Sequence, residues 1–200
     1  QIINNSPVPI ILAGSIADNT QTASVNIDYF QAVYEAINVF IEKGHKHIAF
    51  VSGPLEYTIN GQYKLLAYKK ALQDAGIELN EAFIDSNDGT YDEAMMSWET
   101  LSSLDVAPTA IFAGSDEIAI GLVHGALDAG KSVPQDVEII SFENSKLARM
   151  VRPQLTSVVL PLYDIGAVSM RLLTKLLNKE DVTEKHVILP HRLEIRNSTI

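Results

Sequence analysis

Short, continuously apolar runs recur along this chain, each followed by a longer amphipathic segment, and this alternation constrains the fold more than any other feature. Residues 8–13 (VPIILA), 47–52 (HIAFVS), 109–113 (TAIFA), 137–142 (VEIISF) and 155–160 (LTSVVL) are rich in apolar side chains at successive positions. A strand with one wet face alternates apolar and polar residues; continuous runs mark strands covered on both faces. Between them the period changes to that of a helix. Residues 28–42 put Val33, Ala36, Ile37 and Phe40 on one face, and Gly44 ends the segment. Similar segments span residues 63–75 before Gly76, 91–104 before Pro108, 116–129 before Gly130, and 162–177. Shorter strands are expected at 82–85 and 186–189. Strand–helix–strand alternation with buried strands defines the class as α/β: doubly wound parallel sheets with helices on both faces.

The 200 residues are 46% apolar and 20% charged, enough to bury a substantial core in one large domain or two lobes. The net charge of −10 disfavours contact with nucleic-acid phosphates. That charge is uneven. Residues 1–142 hold 6 Lys/Arg against 19 Asp/Glu, and residues 143–200 hold 9 against 6. The basic C-terminal stretch either balances the surface of the folded chain or receives an acidic partner. Without cysteine there are no disulfides and no thiol chemistry. No apolar run reaches the roughly 20 residues of a membrane span. Residues 1–5 (QIINN) lack the basic start and apolar stretch of an export signal, and the chain begins without Met, as a fragment would.

Doubly wound sheets bind ligands beyond the carboxyl ends of their strands. Here those ends carry Gly14-Ser15, Ser52-Gly53, Gly114-Ser115-Asp116 and Glu143-Asn144. Ser115 and Asp116 read first as helix caps. Glu143-Asn144 is open between cap and ligand contact. Signatures of catalysis are missing: there is no G-x-S-x-G, no H-E-x-x-H, no phosphate-binding G-x-x-x-x-G-K-[ST] and no G-x-G-x-x-G. His45-x-His47 sits between a helix stop and a strand, where a connecting turn explains it better than a metal pair. No enzyme, metal or cofactor is expected.

In the last helix, Leu162, Gly166, Met170, Leu173 and Leu177 read as an apolar face. Arg171 and Lys175, four residues apart, project together, with Tyr163 near the same edge. Spacing alone leaves two readings open: an ordinary solvated face, or a cationic clamp for a phosphorylated protein.

Residues 108–144, PTAIFAGSDEIAIGLVHGALDAGKSVPQDVEIISFEN, resemble the core signature of the lactose-repressor (LacI/GalR) family of transcription regulators. Residues 151–158 (VRPQLTSV) and 28–53, ending GHKHIAFVSG, carry the same resemblance. It implies a fold like the type I periplasmic binding proteins, with two doubly wound lobes, the first incomplete, and an effector cleft between them. Residues 1–54 would be the back half of the N-terminal lobe and 55–155 the C-terminal lobe. Residues 156–200 would supply a crossover strand, a helix returning to the first lobe and the final strands. A DNA-binding headpiece would precede residue 1. The protein would be a cytoplasmic homodimer, self-associating through residues 117–129 and 145–155.

Within the family, MVRPQLTSVV (150–159), YDIGAVSMRLLTK (163–175) and LPHRLEIR (189–196) resemble the branch that governs carbon catabolite control in Gram-positive bacteria. That likeness implies a partner, seryl-phosphorylated HPr (a phosphocarrier protein), contacted by Tyr163, Arg171, Lys175 and Arg192. Where relatives read G-F-D-N and use the Asp to hold a sugar or purine, this chain reads Ser141-Phe142-Glu143-Asn144. Lys64 stands where relatives carry an anchoring Arg. The implied effector pocket comprises Ser52, Lys64, Tyr91 and Glu143, and suits a sugar phosphate such as glucose 6-phosphate or fructose 1,6-bisphosphate. Two other classes compete: a periplasmic sugar-binding protein of a transport system, and an α/β enzyme acting on a sugar phosphate.

Overall fold

The computed structural model describes residues 6–16, 22–55 and 59–200, without the side chains of residues 59 and 60. Residues 1–5, read above for an export signal, lie outside the described residues. The chain forms two compact units. The first comprises Gln1–Asp28 and Pro161–His191, the second Tyr29–Leu160 and Arg192–Ile200.

The first unit holds a three-stranded parallel sheet in the order β1 (Ile11–Ala13), β2 (Ala23–Ile27), β8 (His186–Leu189). Helix α6 (Leu162–Leu177) packs on it, with Ile165 and Leu172 buried against Val25 of β2.

The second unit has a six-stranded sheet. Its order is β4 (Ile84–Ser86), β3 (Ile48–Ser52), β5 (Ala110–Ala113), β6 (Glu138–Glu143), β7 (Thr156–Val159), β9 (Arg192–Glu194). All neighbours run parallel except β7 and β9. Successive side chains point to opposite faces of a strand, so each buried strand feeds two cores. Ala49, Val51, Ile111, Ala113 and Ile139 point toward α3 (Tyr91–Ser102) and α4 (Asp116–Asp128). On the alternate positions Phe50 stacks on Phe112, and Phe112 meets Phe142 edge to face, across neighbouring strands with centroids 5.6 and 6.3 Å apart. Tyr68, from α2 (Ile59–Asp74), tilts against Phe50 and donates to the Ile48 carbonyl at 2.8 Å. Tyr29, from α1 (Tyr29–Glu42), stacks on Phe142. Each aromatic ring buried this way contributes about 1.5–3 kcal/mol.

Helices α3 and α4 approach closely because α4 offers glycine at the crossing. A Cβ at Gly121 would stand 2.6 Å from the Ala94 Cβ and the Tyr91 carbonyl, and one at Gly125 would stand 2.9 Å from Trp98.

The doubly wound α/β class holds, but the boundary between lobes does not fall near residue 54. Residues 29–54 belong to the second unit, because β3 pairs with β4 and β5 and α1 packs on α2. The chain passes between units after Asp28, Leu160 and His191. Periodicity identifies a strand but not the sheet it joins. Elements that the pattern did not suggest also appear: β2, β9, the short helix α5 (Lys146–Met150) and a 3-10 turn at Glu81–Phe83, which takes the first part of the strand expected at 82–85 and leaves β4 at Ile84–Ser86. β2 reads ASVNI, with Ser24 and Asn26 interrupting any apolar run although every residue is buried.

Candidate functional site

In the second unit, β3 and β5 end on loops bordering a cavity of about 300 Å³, lined by Ser52, Gly53, Gly61, Lys64, Gly114 and Ser115 among others. Gly114 has no room for a side chain: its Cβ would lie 2.5 Å from the Ser52 Oγ. Ser115 caps α4 as expected, accepting from the Ile118 amide at 3.2 Å.

Lys64 projects from α2 into this region. Its Nζ donates to the Gly114 carbonyl at 3.0 Å and sits 3.9 Å from the centroid of the Phe142 ring. Burial lowers its pKa from 10.5 to about 8, with the negative charge of Glu143 acting in the opposite direction. Glu143, at the end of β6, responds in kind. Loss of solvation raises its pKa, Lys64 opposes that, and Asp116 and Glu117 add to it. The ring face beneath the ammonium replaces part of its lost hydration.

Glu143 and Asn144 both have left-handed backbones, at φ 104° and 55°. For a residue with a Cβ this conformation is strained, and it persists where neighbouring contacts hold it. Those contacts converge on Asp116, which is 1% exposed. Its carboxylate accepts from the Ser141 hydroxyl at 2.6 Å, from the Ser157 hydroxyl at 3.2 Å and from the Ser145 amide. The Asn144 amide donates to Ser157 Oγ at 3.0 Å, and its side-chain oxygen accepts from Arg196 at 2.6 Å. Asp116 and Asn144 therefore hold the turn in place, and Glu143 is the residue it presents.

The four expected pocket residues do not converge fully. Ser52 and Lys64 line one cavity, and Glu143 is coupled to Lys64 through its charge. Tyr91 starts α3, and its hydroxyl lies 3.0 Å from His124 Nδ1, with the two rings edge to face. It is not among the residues lining the cavity. Asp116, Ser157 and Arg196 were not foreseen as supports of this site. Asp116 stands at a helix start, where a carboxylate ordinarily serves as a cap.

A larger cavity, about 730 Å³, lies at the opposite, amino-terminal ends of β3, β5 and β6 and includes His45 and His47. Its buried Glu138 already pairs with Lys43 at 2.9 Å, and His45 bonds Thr109 at 2.8 Å. These contacts fit the expected connecting turn. Among the described residues no cluster of His, Asp or Glu could hold a metal ion, and no helix is long and apolar enough to cross a membrane.

On α6 the buried face is Ile165, Ser169 and Leu172, not the expected stripe of Leu162, Gly166, Met170, Leu173 and Leu177. The helix carries two apolar stripes, and the sheet takes the one that fits over Val25. Met170, 62% exposed, and Tyr163, 86% exposed, remain in solvent with Arg171 and Lys175. Among the described residues neither cation has an ion-pair partner. Arg192 lies in the second unit at the start of β9, 3.4 Å from Glu194.

Residues 37–199 match the family model described as periplasmic binding protein-like domain. The chain belongs to that family and, within it, to the LacI type. It is 53% identical over 197 residues to catabolite control protein A of Priestia megaterium, covering 98% of this chain and 59% of that protein. It is 38% identical to the crystal structure of the transcription regulator CcpA of Lactococcus lactis. That match has a TM-score of 0.93 and covers 99% of this chain and 72% of that one. A LacI family regulator from Enterococcus faecium, solved with bound ribose, is 28% identical at a TM-score of 0.87, covering 96% and 70% of the two chains. The chain spans about 59% of the length of the curated relatives it matches.

Proposed function

We propose that this chain is the effector- and partner-binding part of a dimeric, cytoplasmic transcription regulator of carbon catabolite control, with DNA contacted by a headpiece outside these residues. The observation that carries the reading is the outward face of α6. Tyr163, Met170, Arg171 and Lys175 share an exposed surface, and the two cations have no described carboxylate partner. Such a face suits a partner with a phosphate beside an apolar patch, and seryl-phosphorylated HPr is the partner assigned. A phosphoserine near charge −2 forms bidentate, charge-assisted hydrogen bonds with arginine that an unmodified serine cannot. Arg192 is assigned to the same partner.

Glucose 6-phosphate or fructose 1,6-bisphosphate would act as the booster, at Ser52, Lys64 and Glu143. Partner docking would set the spacing of the headpieces on DNA. Self-association is assigned to α4 and α5, where Leu127, Leu147 and Met150 are exposed. Comparing the affinity of the parent regulator and its Arg171→Ala/Lys175→Ala variant for the phosphorylated partner tests the patch. Unchanged affinity would refute it.

A further inference from the structure

The cavity at the amino-terminal ends of β3, β5 and β6 belongs to neither site assigned above. Its volume of about 730 Å³ falls within the roughly 300–1,000 Å³ of small-molecule sites. Residues 43–47 (KGHKH) put two lysines and two histidines on its wall, although residues 1–142 hold only 6 Lys/Arg against 19 Asp/Glu. Pro134 and Ile200 supply apolar surface beside these charges. Lys46 and His47 also line a neighbouring cavity of about 570 Å³, where His47 meets Phe83 edge to face. These two side chains therefore stand between the two hollows.

The carboxylates on the wall, Asp136 and the buried Glu138, are already engaged. Glu138 accepts from the Ile200 amide at 3.1 Å through Oε1 and from Lys43 at 2.9 Å through Oε2. Asp136 accepts from the Ser132 amide at 2.7 Å. His45 lies with Nε2 3.8 Å from the same Oε2 and with Nδ1 2.8 Å from the Thr109 hydroxyl. Lys46 and His47 are exposed, and among the described residues neither has an ion-pair partner. With both imidazoles neutral the wall is balanced, Lys43 and Lys46 against Asp136 and Glu138. A proton on His45 makes two cations share one carboxylate oxygen, and a proton on His47 meets no described carboxylate. Glu78, on the wall of the neighbouring cavity, is the remaining charged group. Protonation therefore leaves a positive surplus that only an added anion can neutralise.

We propose that this cavity binds a small organic oxyanion, a phosphate or carboxylate carried on an apolar body, held by Lys46, His45 and His47 and taken up as the two imidazoles gain protons. Histidine is the side chain whose charge ordinarily changes between pH 5 and 8. Doubly protonated imidazoles and a lysine donate charge-assisted hydrogen bonds to such an anion, and the apolar body packs against Pro134 and Ile200.

The test titrates the parent regulator by calorimetry with phenyl phosphate and with phthalate, each at about pH 6 and about pH 8. Saturable binding is expected at the lower pH and binding at least about tenfold weaker at the higher one, even though phenyl phosphate is then more negative. Binding of both probes assigns the site to oxyanions generally, of phenyl phosphate alone to phosphate esters, and of phthalate alone to carboxylates. Lys46→Ala, at an exposed position, is expected to weaken binding at least about fivefold at both pH values. His45→Gln/His47→Gln is expected to abolish the pH dependence. His47→Gln alone breaks no described side-chain hydrogen bond, and reduces that dependence where the double variant loses its fold. Binding of neither probe, binding as tight at the higher pH, or binding untouched by Lys46→Ala overturns the proposal.

Discussion

The hydroxyl of Ser141, within β6, donates a 2.6 Å hydrogen bond to the buried carboxylate of Asp116, the first residue of α4. The same carboxylate accepts from Ser157 on β7 and from the Ser145 backbone, so one side chain ties two strands and a helix to the turn that presents Glu143. Replacing Asp116 with Ala would remove the acceptor of the Ser145 amide and leave the Ser141 and Ser157 hydroxyls with only long contacts to the Thr156 and Val158 carbonyls, at 3.5 and 3.4 Å. Unfolding in urea is expected to show a loss of about 2–4 kcal/mol for Asp116→Ala. A loss below about 0.5 kcal/mol would mean that the turn is held by other contacts.

The crossing of α3 and α4 at Gly121 leaves no space for a side chain, with the Ala94 Cβ and Tyr91 carbonyl each 2.6 Å from where a Cβ would sit. Gly121→Leu is expected to cost at least about 1–3 kcal/mol, through overpacking of two buried helices. A fall in thermal midpoint of several degrees checks this. At Gly166 of α6, where a Cβ would meet nothing within 4 Å, Ala should be tolerated or mildly stabilising.

Burial lowers the Lys64 pKa from 10.5 to about 8, which ties stability to pH with a definite sign. Between these values the unfolded chain binds more protons than the folded one, so this group makes stability rise with pH from 8 to 10.5. Its contribution is fully present above pH 10.5 and lost as pH falls through 8. Lys64→Met removes the dependence. The stability of the variant relative to the parent should shrink by about 2 kcal/mol between pH 7 and 9.5. Tyr29, whose pKa burial pushes up to about 12, acts in the opposite sense only above pH 10. A constant difference between variant and parent would show Lys64 to be solvated in solution.

Arg171 and Lys175 are exposed and unpaired among the described residues, so removing both should change folding stability by less than about 0.5 kcal/mol. Loss of charge-assisted contacts to a phosphoserine should weaken partner binding at least tenfold. Salt should weaken parent binding more steeply than variant binding.

Much of the second unit could be read from the residues because its strands are buried on both faces and their helices are amphipathic. Helix α6 and strand β8 fall at the expected residues, 162–177 and 186–189. Strand β2 stayed hidden because Ser24 and Asn26 break its apolar run, and β9 because three residues among charges carry no period. The division into units was misplaced because strand pairing is a long-range choice that local pattern does not encode. Of the pocket, Ser52 and Lys64 were identifiable, whereas Asp116 was not. A carboxylate at a helix start is usually a cap, and only the tertiary pairing with Ser141 and Ser157 turns it inward. The inward face of α6 was misread because two apolar stripes run along one helix, and only the sheet selects between them.

Calorimetric titration of the parent regulator with HPr, unmodified and then phosphorylated on serine, tests the central claim most directly. Saturable binding of the phosphorylated form alone is predicted, with the Arg171→Ala/Lys175→Ala variant binding it at least about tenfold more weakly. Equal binding of the two forms, or binding of neither, would contradict the assignment of the α6 face to a phosphoprotein.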